Sequence, residues 1–301
     1  MSWQGNLLNR VLKRTTKPLM FSGRLTRARM GISAWLMEAS AGIVPAPAAQ
    51  ITPLRGNIRG EWVEHGENTG RVILYFHGGA YIAGSPRTHR PLTAALARDA
   101  GARVLALDYR QAPEFGFPAW LDDAVEAYRH LLSTHERPHQ IVLAGDSAGG
   151  NLVLVTLQRL RELGLPMPAG AICLSPWADL TCKSRSFKQN RGSEAMLNAD
   201  AIAALGLHHI GTNDPKDPLL SPVHADFTGF PALMIHVGSG EILRDDARAV
   251  KRAAQKADVS VTYREWKDMP HVFPLFHAFL PEARKALQEM AAFVVRVTRP
   301  D

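Results

Sequence analysis

The segment Gly145-Asp146-Ser147-Ala148-Gly149-Gly150 combines a nucleophilic side chain with the spacing that would activate it. It follows the apolar run Gln140–Ala144 and opens a helix-like stretch, Ala148–Leu163. Gly-x-Ser-x-Gly between strand and helix predicts a nucleophile elbow. Such a turn strains the serine backbone, and side chains two residues before and after would collide, so both positions are glycine. The helix start would aim N–H groups and positive dipole at charge developing beside Ser147. The chemistry expected is attack by Ser147 on an acyl carbonyl.

A second motif, His77-Gly78-Gly79-Ala80-Tyr81, follows the apolar run Arg71–Phe76. Its glycines allow close backbone approach to a ligand. The N–H groups of Gly78, Gly79 and Ala80, with that of Ala148, are the expected oxyanion hole. His77 is expected to brace this loop by hydrogen bonds rather than to react.

A serine nucleophile needs a base, and the base an orienting acid. Among twelve histidines, His271 follows the last expected strand and is favoured as base. His277, expected in the final helix, is the alternative. His208 and His209 fall in an insertion, His224 in a loop, and His236 inside a buried strand. The acid should follow the strand Ala232–Val237. Glu241 is favoured there, with Asp245, expected to cap the next helix, and Asp246 as alternatives. All three acids could instead serve the helix dipole. No His-Glu-x-x-His, Cys-x-x-Cys or phosphate loop occurs, so neither metal nor cofactor is expected.

The elements that must carry these residues alternate along the chain. Expected strands are Arg71–Phe76, Arg103–Tyr109, Gln140–Gly145, Gly170–Ser175, Ala232–Val237 and Val259–Arg264. They are short and nearly continuously apolar, as strands buried on both faces are. Expected helices are Thr88–Ala100, Pro118–Leu132, Ala148–Leu163, Asp245–Ala257 and Pro281–Val297. This rhythm predicts an α/β fold, a mostly parallel sheet with helices on both faces. Asn57–His65 is expected to add an antiparallel opening strand. The interval Lys183–His224 breaks the rhythm, with one helix-like piece, Ala199–His209, and reads as a lid or binding insertion.

Charge separates the N-terminus from the rest. Residues 1–37 hold Arg10, Lys13, Arg14, Lys17, Arg24, Arg27 and Arg29 and no acid. The remainder balances twenty-eight basic against twenty-eight acidic residues. A basic arm with no groove-reading partners argues against nucleic acid. It reads as a helical lid segment with a basic face, or as a processed or membrane-touching arm. No apolar run reaches a transmembrane length, so stable membrane insertion is not expected. Cys173 and Cys182, outside any metal spacing, read as reduced thiols of a cytoplasmic protein. The Pro/Ala stretch Val44–Ala49 divides residues 1–45 from the body, 46–301.

Together these motifs resemble the bacterial hormone-sensitive-lipase-like esterases, the family IV carboxylesterases of the α/β-hydrolase superfamily. The resemblance spans about Val72 to Phe273. His77–Tyr81 resembles the family's His-Gly-Gly-Gly-aromatic motif, with Ala80 at the third glycine, and Gly145–Gly150 reads identically to its elbow. Asp108-Tyr109-Arg110-Gln111-Ala112-Pro113-Glu114 and Ser175-Pro176-Trp177-Ala178-Asp179-Leu180 match further segments. Glu241-Ile242-Leu243-Arg244-Asp245 stands where the family usually has Asp-Pro-Leu-Arg-Asp, which places Glu241 on the acid. An alanine at position 80 keeps its N–H, provided the local φ need not be positive.

The resemblance implies an α/β-hydrolase fold with a cap built from residues 1–45 and an insertion at about 183–224. It implies a Ser147-His271-Glu241 triad hydrolysing short- to medium-chain acyl esters of a small-molecule substrate through an acyl-enzyme. Trp3, Phe21, Trp35, Met37 and Met196 would face the acyl pocket or pack the cap's own small core. The resemblance is also compatible with a homodimer through an edge strand. Amide, formamide or lactone hydrolysis on the same triad is the competing activity. A non-catalytic binding protein on this fold would be expected to lose a triad member.

Overall fold

A computed structural model describes residues 1–19, 25–67, 69–134 and 137–298. Eight strands form one sheet: β1 (Gln50–Leu54), β2 (Gly60–Glu64), β3 (Arg71–Phe76), β4 (Ala102–Leu107), β5 (Ile141–Asp146), β6 (Gly170–Leu174), β7 (Ala232–Gly238) and β8 (Val261–Trp266). Their spatial order is β1-β2-β4-β3-β5-β6-β7-β8. β1 and β2 are antiparallel to their neighbours, and β3 to β8 run parallel. The α/β class expected from the sequence is therefore the observed one.

Among the described residues, three helices precede the sheet: α1 (Trp3–Arg14), α2 (Thr16–Leu19) and α3 (Arg27–Ala39). Within the body lie α4 (Pro86–Ala100), α5 (Ala119–Ser133), α6 (Ala148–Glu162), α9 (Arg244–Lys256) and α10 (Pro281–Val297). The stretch between β6 and β7 holds α7 (Arg185–Gln189) and α8 (Ala199–Ile210).

Strand periodicity sorts the core into two layers. Val72, Leu74 and Phe76 of β3 face one layer, with Leu121 of α5 and Leu152 of α6. Ile73 and Tyr75 face the other, with Leu96 of α4 and Met290 of α10. Burial on both faces explains why β3, β5 and β6 read as continuous apolar runs.

The departures from expectation are local. Asn57–His65 contracts to β2, and β1 had no sequence signal. It is an edge strand, largely exposed and interrupted by Pro53, and exists through its pairing with β2. β8 begins two residues later than expected, because Val259 is buried in the turn before it, with its N–H bonded to Ala254 O at 3.0 Å. α4 starts earlier, at Pro86, because Ser85 closes a capping box with Thr88. Asp245 does not cap α9: it lies inside the first turn, and Leu243 occupies the cap position. His277 is not in the final helix but follows the short 3-10 turn Phe273–Phe276.

Candidate active site

The parallel strands deliver their loops to one edge of the sheet, the usual place for a site in such folds. Ser147 sits between β5 and α6 at φ 55° and ψ −117°. A side chain is rarely held there, and the turn is locked on both sides. Ser147 N–H donates to Leu174 O at 2.8 Å, and its carbonyl accepts from Asn151 N–H at 3.0 Å and Trp177 N–H at 3.1 Å. The flanking glycines are obligatory: a Cβ on Gly145 would lie 2.4 Å from Gly149 O, and one on Gly149 only 1.9 Å from Phe76 O.

The loop after β3 wraps against this elbow. Ala83 N–H returns to Gly79 O at 3.0 Å, and a Cβ on Gly79 would fall 1.8 Å from Ala83 O. Ala80 nevertheless adopts φ 54°, so the condition attached to alanine at this position is not met and the residue is strained. His77 does brace the loop. Its Nδ1 donates to Gly78 O at 2.8 Å, Tyr109 OH donates to His77 O at 2.6 Å, and the two rings stack at 4.3 Å. Burial, helped by the nearby His89, pushes His77 down to about 3 and keeps it neutral.

The four expected oxyanion donors do not all stay available. Gly78 N–H donates to Asp146 Oδ1 at 3.0 Å, so it is spent inside the protein. This corrects the expectation for Gly78. The N–H groups of Gly79, Ala80 and Ala148 donate to no atom among the described residues.

Asp146 is the hub that takes Gly78. The same oxygen accepts from Tyr75 OH at 2.6 Å, and His89 Nε2 lies 3.4 Å from the other. Burial alone would raise this carboxyl, but His89, Tyr75 and His77 outweigh it and hold it below the usual range. His89 sits above the usual histidine value: burial opposes its charge, and the Asp146 carboxylate restores it. On the other side, His209 of α8 donates from Nε2 to Ala80 O at 2.8 Å, and burial pushes its imidazole down to about 4.

His271 follows β8. Its Nδ1 donates to Glu241 Oε2 at 2.7 Å, and both groups are buried. Glu241 Oε1 accepts from Ser175 Oγ at 2.8 Å and from Gly238 N–H. Burial by itself would lower His271. The Glu241 hydrogen bond and charge, with Glu194 and Asp146 behind them, hold it above the usual histidine value. Its Nε2 has no partner among the described residues. Ser147 and His271 line the same cavity, of about 350 Å³. The buried Glu241 carboxylate can orient the imidazole and stabilise an imidazolium; no hydrogen bond joins Ser147 Oγ to His271 Nε2 among the described residues.

The alternative residues point elsewhere. Asp245 Oδ2 accepts from Ser186 N–H at 2.8 Å, and Asp246 Oδ2 from Asp179 N–H at 3.0 Å. His277 Nε2 donates to Pro91 O at 3.0 Å, and His236 is buried within β7. Cys173 and Cys182 are buried free thiols, and burial pushes both up.

Sequence reasoning did not foresee Ser175, Glu194, His89, His209 or the hub role of Asp146. Glu194 is fully buried: Oε1 accepts from Met196 N–H at 2.9 Å and Oε2 from Ile242 N–H at 3.1 Å, beside Glu241. Asp146 and Ser175 lie inside recognisable segments and the others in none, but the contacts that give each its role span more than forty residues of chain.

The cavity is roofed by two separate segments. Leu8, Leu12 and Met37 come from α1 and α3, and Met196, Leu197 and Ile202 from the stretch between β6 and β7. Lys13 Nζ donates to Gly192 O at 2.9 Å and Lys17 Nζ to Glu194 O at 2.8 Å, joining them. Of the side chains expected to face an acyl pocket, Met37 and Met196 do so. Trp3 and Trp35 lie on the outer faces of their helices, exposed. Phe21 lies outside the described residues.

Comparison with known proteins agrees with this picture. A family model for the α/β-hydrolase fold matches residues 73–275. The chain is 47% identical over 257 residues to an acetyl-hydrolase of Streptomyces hygroscopicus, covering 85% of each. It is 38% identical over 250 residues to an esterase of Acinetobacter venetianus, covering 82% of each. A crystal structure of an esterase from the bacterial hormone-sensitive lipase family superposes with TM-score 0.92 at 37% identity, covering 99% of each chain.

Proposed function

The chain belongs to the α/β-hydrolase fold family, in its bacterial hormone-sensitive-lipase branch, and from that premise we propose that it cleaves small carboxylic esters through Ser147, His271 and Glu241. The enzyme is a carboxylic ester hydrolase; the triad, the acyl range and the covalent intermediate are the proposal. The observation that carries it is the buried 2.7 Å contact between His271 Nδ1 and Glu241 Oε2 beside a cavity that Ser147 also lines.

In this reading Ser147 Oγ attacks the ester carbonyl and His271 Nε2 takes its proton. The negative oxygen is received by the N–H groups of Gly79, Ala80 and Ala148, not Gly78. His271 then protonates the leaving alcohol, and water hydrolyses the acyl-enzyme by the same route in reverse. Residues 1–45 and 183–224 act as the cap. A cavity near 350 Å³ is at the small end of ligand pockets and suits a short- to medium-chain acyl group.

The experiment is hydrolysis of p-nitrophenyl acetate and butyrate by three variants. Ser147→Ala should reduce turnover by roughly three orders of magnitude or more. Glu241→Gln should reduce kcat severely, whereas Asp245→Asn should leave it near normal. Full activity in Ser147→Ala would remove the nucleophile, and the opposite pattern for the two carboxylates would move the acid.

A further inference from the structure

The molecule's exposed apolar side chains are unevenly spread. Eight of the thirteen large ones among the described residues fall within residues 1–43. On α1, Trp3, Leu7 and Val11 recur every four residues along one exposed face, and Arg10 and Arg14 share it. On α3, Ile32 and Trp35 are exposed one turn apart. The helices bury their opposite sides: Leu12 lines the cavity and Met30 packs into the core.

The same region is the basic one. It holds no acid before Glu38, and that carboxylate is taken by Arg87 at 2.7 Å and Ser85. Arg10 and Arg14 pair with no acid among the described residues. The rest of the chain is charge-balanced; within the segment Lys13 and Lys17 turn to Gly192 and Glu194 and Arg27 to Glu114, so Arg10 and Arg14 are the charges that the outer face of α1 presents.

The entrance of the cavity lies there too. Val11, Ile43 and Phe279 all line the cavity, yet are 46%, 72% and 49% exposed. Side chains with one side in a cavity and the other in solvent mark its rim.

We propose that the outer faces of α1 and α3 dock the protein on an anionic phospholipid surface, with the cavity mouth turned toward the bilayer. The warrant is charge complementarity joined to apolar exposure. A helix that carries tryptophan and aliphatic side chains beside arginines lies in the interface plane, and each signal alone binds weakly. A nucleic acid would be served by the arginines but not by Leu7, Ile32 and Ile43. Docking would bring apolar esters from the bilayer into the cavity; that delivery rests on the proposed esterase reading, whereas docking itself does not.

The test is vesicle flotation of the Ser147→Ala protein, so that catalysis cannot confuse the readout. Phosphatidylcholine vesicles with phosphatidylserine should carry the protein upward and shift its tryptophan emission to the blue. Pure phosphatidylcholine or high salt should reduce the bound fraction. A Trp3→Ser/Trp35→Ser variant should lose roughly tenfold in partitioning, and Arg10→Glu/Arg14→Glu should abolish the phosphatidylserine dependence. The same substitutions in the active protein should leave turnover of water-soluble esters unchanged, which also reports that they fold. Absence of flotation, or flotation that both variants retain, overturns the proposal. So does a dimer in solution that Trp3→Ser/Trp35→Ser dissolves while vesicles bind nothing, which would give the face to a second copy. Loss of esterase activity in every arm would defeat the activity reading and leave the flotation result standing.

Discussion

Ala80 holds a methyl group at φ 54° in a loop whose neighbour, Gly79, is at φ 124°. The left-handed region costs an L-residue about 1–2 kcal/mol. Glycine would remove that strain and return about 0.5–1 kcal/mol of it through greater freedom of the unfolded chain. Ala80→Gly is therefore expected to raise stability by about 0.5–1 kcal/mol. Urea unfolding measures it, and a loss of stability would contradict the strain argument. Position 79 allows no such exchange, because its Cβ would meet Ala83 O at 1.8 Å. The strained alanine persists because both sides of its peptide are held: His209 fixes its carbonyl, and Asp146 fixes Gly78 before it.

At the scale of elements, the junction of α9 with the loop after β6 buries an unusual carboxyl group. Asp246, in the first turn of α9, is fully buried and accepts from Asp179 N–H at 3.0 Å. Burial, reinforced by the Asp179 carboxylate, pushes it up to about 8. Unfolded, the same carboxyl ionises near 4. Between those values the folded chain binds the extra proton, so this group's contribution worsens as pH rises. Asp246→Asn keeps an oxygen for Asp179 N–H and removes the titration. It should add on the order of 3 kcal/mol at pH 7 and almost nothing at pH 4. Denaturant midpoints at the two pH values decide it. Equal gains at both would mean that Asp246 is ionised in the fold.

Across the whole molecule, buried imidazoles set the acid limit, His277 among those that burial lowers. Burial takes His77 and His236 to about 3 and His209 to about 4. They sit on the loop after β3, on β7 and on α8, so no local repair relieves all three. For a depressed histidine the stabilising contribution is complete above about pH 6.5 and is lost as pH falls toward the folded value. His89 and His271 are raised instead, so their contributions are already complete below pH 6.5 and do not offset the loss. In the Asp246→Asn background, stability should fall from pH 6.5 to 4, by about 2 kcal/mol per histidine at pH 5. A flat profile by chemical denaturation over that range would refute the burial argument.

Much of the site was legible before any coordinates. The elbow around Ser147 is a strand, a turn and a helix in direct succession, so its glycines announce a backbone conformation set within four residues. The same holds for the loop at His77–Ala80 and for the parallel core strands, whose burial on both faces leaves an apolar run in the sequence. Position in the chain order singled out His271 and Glu241, but their 2.7 Å contact exists only because β7 and β8 are neighbours. That α9 begins at Arg244 decided that Asp245 and Asp246 turn toward Ser186 and Asp179. β1, Glu194 and His209 left no trace in the sequence, because pairing or burial from distant chain creates their roles. Even Gly78, which a motif assigned to the oxyanion, was redirected by an Asp146 oxygen sixty-eight residues away. The sequence by itself determined the local turns and which serine stands at the elbow, the one proposed as nucleophile. Tertiary packing decided which N–H groups remain free, which carboxylate meets the imidazole and which face of α1 looks outward, since these depend on distances that close only when the sheet does.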